Sequence, residues 1–133
     1  MELYIGGCYQ GKLAYVLEKK KWNGIEILSG EYISWEKLES CQVCDHFHDF
    51  LRKELNYYTS EKEAQIEVIK RLEDVFKKNP SLLVICDEVG MGVVPMERQE
   101  RDYRELVGRV CVYLAKNASH VERIVAGMGQ ILK

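Results

Sequence analysis

The sequence predicts an α/β fold with a mainly parallel sheet. Three observations carry this reading. Apolar runs of strand length alternate with helical stripes along the chain. Leu82–Cys86 (LLVIC) is apolar throughout, as in a strand covered on both faces. A glycine-rich turn joins the first strand to the first helix.

Taken in order, Glu2–Ile5 reads as a short strand ending at a glycine pair, and Lys12–Lys21 as a helix with Leu13, Val16 and Leu17 on one face. Asn23-Gly24 marks a turn, and Ile25–Leu28 a second strand. Ser34 is a candidate cap for a helix whose spacing runs from Trp35 to about Leu55 through Leu38, Cys41, Cys44, Phe47 and Leu51. Ser60-Glu-Lys-Glu63 has the capping-box pattern and opens a helix with Ile66, Ile69, Leu72 and Phe76 as its apolar stripe. Asn79-Pro80 stops that helix. After LLVIC comes a loop around Gly90, Gly92 and Pro95. A long helix over Gln99–Asn117 and a last strand over Val121–Ala126, ending in Gly127-Met-Gly129, complete the chain.

With 133 residues, 47% of them apolar and 30% charged, one domain over residues 1–133 is expected. A net charge of −2 and a pI near 6.0 argue against a broad nucleic-acid or membrane footprint. No apolar run reaches the roughly 20 residues of a membrane span, and no leader-like segment opens the chain, which points to the cytoplasm. Cys8, Cys41, Cys44, Cys86 and Cys111 are odd in number and scattered, and read as reduced thiols.

The stretch IGGCYQGKL contains Gly6-x-x-x-x-Gly11-Lys12, the glycine–lysine frame of a phosphate-binding loop, between a strand and a helix as that motif requires. Gly6, Gly7, Cys8, Tyr9, Gln10, Gly11, Lys12 and Leu13 are therefore the candidate phosphate-binding residues. The backbone would wrap phosphate oxygens and Lys12 would reach the outer phosphates. Leu13 stands where the frame has a Ser or Thr to hold Mg²⁺. The bland alternative is a β–α turn that binds nothing.

The second half carries a more specific string. LLVICDEVGMGVVPMERQERDYRELVGRV resembles the adenosylcobinamide kinase/adenosylcobinamide-phosphate guanylyltransferase family of cobalamin biosynthesis. The family's pattern is an apolar strand, N-E-V-G-x-G-[IV]-V-P, then R-x-[FY]-R-[DE]-x-x-G-x-[VL]-N. Glu88, Val89, Gly90, Gly92, Val94, Pro95, Arg101, Tyr103, Arg104, Glu105, Gly108 and Val110 match it. Together with the N-terminal loop the resemblance covers roughly 75 of 133 residues. It implies a P-loop NTPase-like three-layer sandwich truncated in the middle, GTP or ATP as donor, a corrinoid acceptor and a homotrimer.

Asp87 stands where the pattern has Asn, and Cys111 likewise. Neither the family's D-x-E-M…R-I-x-x-H…R-P-x-x-W-x-T-x-E segment, whose histidine carries the guanylyl group, nor its central strand ending in [DE]-C-[LI]-T is evident. His46 and His48 follow the second strand at about the right distance to replace that histidine, without the flanking pattern.

Asp87 and Glu88 fall at the C-terminal end of a buried strand, where ligands bind in open α/β sheets. Lys12, Glu88 and Asp87 are thus the candidate catalytic residues, with Asp87 a candidate Mg²⁺ ligand compensating for Leu13. Cys41-x-x-Cys44-x-His46-x-His48 has metal-like spacing, but a buried helical face lined with cysteines is the simpler reading. Arg98, Arg101, Arg104 and Arg109, interleaved with acids, read mostly as a salt-bridged helix, with Arg101 and Arg104 weighted toward phosphate by the resemblance. His120 reads as a surface residue. Two functions follow: a nucleotide-binding protein of cobalamin biosynthesis, or a catalytically inactive accessory relative that binds nucleotide or phosphate only.

Overall fold

The computed structural model describes residues 1–133. The elements are β1 (Glu2–Gly6), α1 (Lys12–Lys20), β2 (Ile27–Ser29), α2 (Trp35–Leu38), β3 (Val43–Asp45), α3 (Phe47–Leu55), α4 (Glu61–Lys78), β4 (Leu83–Asp87), α5 (Arg98–Asn117), β5 (His120–Val125) and β6 (Met128–Ile131). One six-stranded sheet has the order β2-β3-β4-β1-β5-β6. All neighbours are parallel except β5 and β6, which form an antiparallel hairpin. The sheet is mainly parallel, as the alternating pattern predicts.

Strand pleating sorts the core into two layers. Along β4, Val84 and Cys86 face α3, α4 and α5, joining Phe47, Phe50, Leu51, Val68, Leu72, Leu106 and Val110. Leu83 and Ile85 face the other way, packing with Tyr4, Val43, Ile124 and Val16 of α1. Helices thus cover both faces, which is why LLVIC carries no polar residue.

The continuous helix expected from Trp35 to Leu55 does not form. The stripe is buried as its spacing predicts, at Leu38, Cys41, Cys44, Phe47 and Leu51, but the short helix α2, the connecting segment after it, the strand β3 and the helix α3 supply it in turn. Ser34 caps α2 by accepting the Lys37 N–H, and the chain turns from β3 into α3 at His46, which takes a left-handed φ of 52°. Cys44 on β3 and His48 on α3 therefore share no helical face, which removes the metal-like spacing as a constellation. In α4 the Ser60 cap accepts from Glu63 N–H as expected. Leu72 is buried and Phe76 partly packed on the core as expected, but Ala64, Val68 and Val75 complete the buried stripe, while Ile66 is exposed. The final glycine turn continues into β6, which sequence reading ended too early. Ala126 and Gly127 take φ of 50° and 75°, the mirror-image turn that suits a hairpin.

A polar network ties α1 to β5. Glu122, 1% exposed, accepts hydrogen bonds from Tyr15 and Lys19 and pairs with His120 Nε2 at 2.8 Å. His120 also packs against Tyr4 and is half-buried, unlike the surface residue expected. Burial alone would raise the Glu122 carboxyl, but the bonds from Lys19, Tyr15 and His120 outweigh it and hold it at about 2. The folded value lies below the ordinary 4.5, so this stabilisation is complete above about pH 4.5 and is lost as pH falls toward 2. Urea unfolding across that window should show the midpoint falling with acid. Glu122→Gln should flatten the fall.

Candidate functional site

The loop between β1 and α1 is built by local backbone chemistry. Tyr9 and Gly11 take left-handed φ of 57° and 79°, and Gly11 caps α1. The first turn of α1 contains no acidic residue, so the helix presents its unpaired N–H groups and positive dipole end without a competing carboxylate. The β5–β6 turn braces the loop from behind. Ala126 N–H donates to Gln10 Oε1 at 2.6 Å and Gly127 N–H to the Gln10 carbonyl at 2.9 Å. No sequence signal pointed to that support, because it depends on the unexpected hairpin.

In front of the loop lies a cavity of about 400 Å³, lined by Cys8 to Ala14 together with Asp45, His46, His48 and Asp87. The structure therefore brings together six of the eight loop candidates and Asp87. Lys12 is only 8% exposed, and its Nζ donates to the Gly7 carbonyl at 2.8 Å and pairs with Asp87 Oδ1 at 2.5 Å. β1 and β4 make this pairing possible: Gly6 and Asp87 are register partners, so the loop and the acid leave the sheet side by side. Gly6 and Gly7 do not line the cavity. Gly6 packs so closely on β5 that an added Cβ would collide with the Ile124 carbonyl, which is a structural reason for glycine there.

Glu88 also lies outside the cavity. Its Oε2 accepts from Nε and Nη2 of Arg123, both at 3.1 Å, and its N–H donates to the Gly6 carbonyl. Glu88 thus ties β4 to β5 below the loop. Leu13 is half-buried, packed against the α1 side of the core while bordering the cavity, and offers no oxygen to a metal.

Sequence reading missed Asp45 as a site residue because β3 was hidden within the helical spacing. Asp45 is 8% exposed and holds His46 through its N–H at 2.8 Å and its Nδ1 at 3.0 Å. His48, at the start of α3, accepts the Asp87 N–H on Nδ1 at 3.2 Å. Its Nε2 lies 3.6 Å from Asp49 Oδ1 and 3.8 Å from Asp87 Oδ2. With Nδ1 accepting, the neutral ring carries its proton on Nε2, toward those carboxylates. Burial lowers the His48 pKa below 6.5, against the opposing pull of Asp87 and Asp49; His46 and Lys12 act with burial. The folded value is depressed, so the Asp87 N–H contact stabilises fully above about pH 6.5 and weakens as pH falls below it. In a histidine NMR titration, the His48 ring should titrate below 6.5. An ordinary or raised value would contradict the Nδ1 contact.

Arg101 and Arg104 touch neither the cavity nor an acid. Arg101 Nη1 donates to the carbonyls of Pro95, at 3.0 Å, and Met96. Arg104 reaches the carbonyls of Gly90 at 2.6 Å, Val93 at 2.5 Å and Gly92 at 3.5 Å. They clamp the loop after β4 through its backbone. Arg98 and Arg109 make the expected pairs one helical turn away, with Asp102 and Glu105.

No three His, Cys, Asp or Glu side chains are grouped to hold a metal by themselves. Asp45 and Asp87 are two carboxylates on one cavity, a set that suits Mg²⁺ only when phosphate oxygens complete its shell.

A parallel sheet with helices on both faces, and a glycine loop feeding a lysine into the cavity at its C-terminal edge, define a P-loop NTPase-like protein. The chain belongs to the cobinamide kinase / cobinamide phosphate guanyltransferase family, whose model matches residues 18–132. It is 31% identical over 80 residues to the bifunctional adenosylcobalamin biosynthesis protein CobU of Escherichia coli (strain K12), covering 60% of this chain and 44% of that protein. It is 35% identical over 77 residues to the protein of the same name from Salmonella typhimurium (strain LT2), covering 57% and 42%. The aligned stretch therefore spans less than half the length of either relative. The family match begins after the glycine loop, so the loop is read from its geometry.

Proposed function

We propose that this chain binds a nucleoside triphosphate, GTP or ATP, as a shortened member of the cobalamin-biosynthesis family. Its phosphates would lie over residues 7–13 at the start of α1. The observation that carries this reading is the nearly buried Lys12 ammonium at the foot of the cavity, beside a helix N-terminus free of acids. Lys12 would exchange part of its contact with Asp87 for the outer phosphate oxygens. Asp87, with Asp45 near it, would hold Mg²⁺ through those same oxygens, and the metal would neutralise charge on the transferring group. The acceptor in this reading is cobinamide, and the protein acts as a homotrimer of single domains. Glu88 acts as a positioning residue through Arg123.

A second reading is an accessory relative that binds nucleotide without transferring phosphate, and Leu13 favours it. A site lacking the hydroxyl that fixes Mg²⁺ keeps phosphate affinity through backbone and lysine but loses the geometry transfer needs. The guanylyl-histidine segment is part of neither reading. Calorimetric titration of GTP and ATP, with and without Mg²⁺, separates them. Mg²⁺-dependent binding with phosphorylation of adenosylcobinamide supports the first, and metal-independent binding without turnover supports the second. Absence of binding to either nucleotide would sink both.

A further inference from the structure

Two of the five free thiols meet beside the site. Cys86, the residue before Asp87 on β4, is fully buried, and the Sγ of Cys111 on α5 lies 3.7 Å from its Sγ. Cys111 is partly exposed, so one thiol of the pair is reachable from solvent and the other is not. Cys111 stands where the family's helix pattern has Asn, so the pair is a feature of this chain rather than of that pattern. The two sulfurs are in van der Waals contact, and bonding requires closing that 3.7 Å gap.

We propose that Cys86 and Cys111 form a reversible disulfide by exchange with a low-molecular-weight disulfide such as glutathione disulfide. The Cys111 thiolate attacks one glutathione sulfur, making a mixed disulfide and releasing one glutathione thiolate, which takes up a proton. Cys86 then gives up its proton, attacks the Cys111 sulfur and expels the second glutathione. Two protein thiols are oxidised, and one glutathione disulfide is reduced to two thiols. The second attack relies on the proximity of Cys86 to the Cys111 sulfur.

The closed ring encloses residues 86–111. It contains the loop that Arg101 and Arg104 clamp, with the exposed apolar side chains Met91, Val93, Val94 and Met96. Oxidation would therefore fasten the exit of β4 to α5 covalently, next to Asp87. This proposal stands whether or not the cavity binds nucleotide.

Purified protein is incubated with glutathione disulfide, alkylated and digested with trypsin. The expected product joins Asn79–Arg98 to Val110–Lys116, with loss of two hydrogen masses and reversal by dithiothreitol. Oxidation should also raise Tm by about 10 °C in the wild type, the order expected for closing a loop of about 26 residues, and not in Cys111→Ser. A stable glutathione adduct on Cys111 with Cys86 still alkylatable after unfolding would overturn the proposal. So would a pair of thiols left unreacted.

Discussion

Gly30→Ala is expected to lower unfolding free energy by about 3 kcal/mol, the upper end for overpacking, because the obstruction is backbone. A Cβ at Gly30 would overlap the His46 carbonyl oxygen and lie 2.9 Å from its carbon and 3.1 Å from the Phe50 nitrogen. None of these atoms can swing aside. His46 is already held in a left-handed turn, and Gly30 N–H donates to the Asp45 carbonyl at 2.7 Å. The strain would fall on the β3–α3 turn that carries Asp45, His46 and His48 into the cavity. Gly6→Ala should cost a similar amount, through the Ile124 carbonyl. Urea denaturation with matched m-values measures both. A change under about 1 kcal/mol in either would show that the sheet yields where packing says it cannot.

Lys12→Ala should reduce nucleotide affinity by at least about 100-fold, about 3 kcal/mol, within the range for truncating one partner of a buried charge pair. Two effects add. The cation facing the phosphates is removed, and Asp87, released from its 2.5 Å partner, presents an unneutralised carboxylate to them. The same variant should lose stability, because Asp87 is left as a largely buried, uncompensated charge. The double variant Lys12→Ala/Asp87→Asn separates the two losses. Stability should return as the stranded charge disappears, while affinity should stay low without the ammonium. If affinity returned with stability, Lys12 would be a structural residue and the nucleotide reading would fail.

Some of this was legible in the residues, for identifiable reasons. The glycine–lysine loop is local chemistry, and LLVIC announces a strand covered on both faces. Ser60 with Glu63 writes its helix start in four residues. What failed was arbitration between periods. Positions 38, 41, 44, 47 and 51 satisfy a helical spacing and are all buried, yet they come from three elements and a connection between two of them. A three-residue strand leaves too short a record to break the pattern, and with it went Asp45. Arg101 and Arg104 were misread for a different reason. Their partners are carbonyl oxygens, which every residue has and no sequence displays. The hairpin that braces Gln10 was lost because Gly127-Met-Gly129 looked like an ending.

The place of β1 in the sheet bears on how the chain folds as it is made. Glu2–Gly6 is made before both of its neighbours, β4 and β5, which end at Asp87 and Val125. The strand at the centre therefore has no partner until β4 is made, and its pairing closes loops of high sequence separation. Apolar Leu3, Tyr4 and Ile5 have no sheet partner until β4 is made, and one edge of the strand stays open until α5 and β5 follow. Translation rate and chaperone supply should therefore affect the yield of folded protein more than its final stability does.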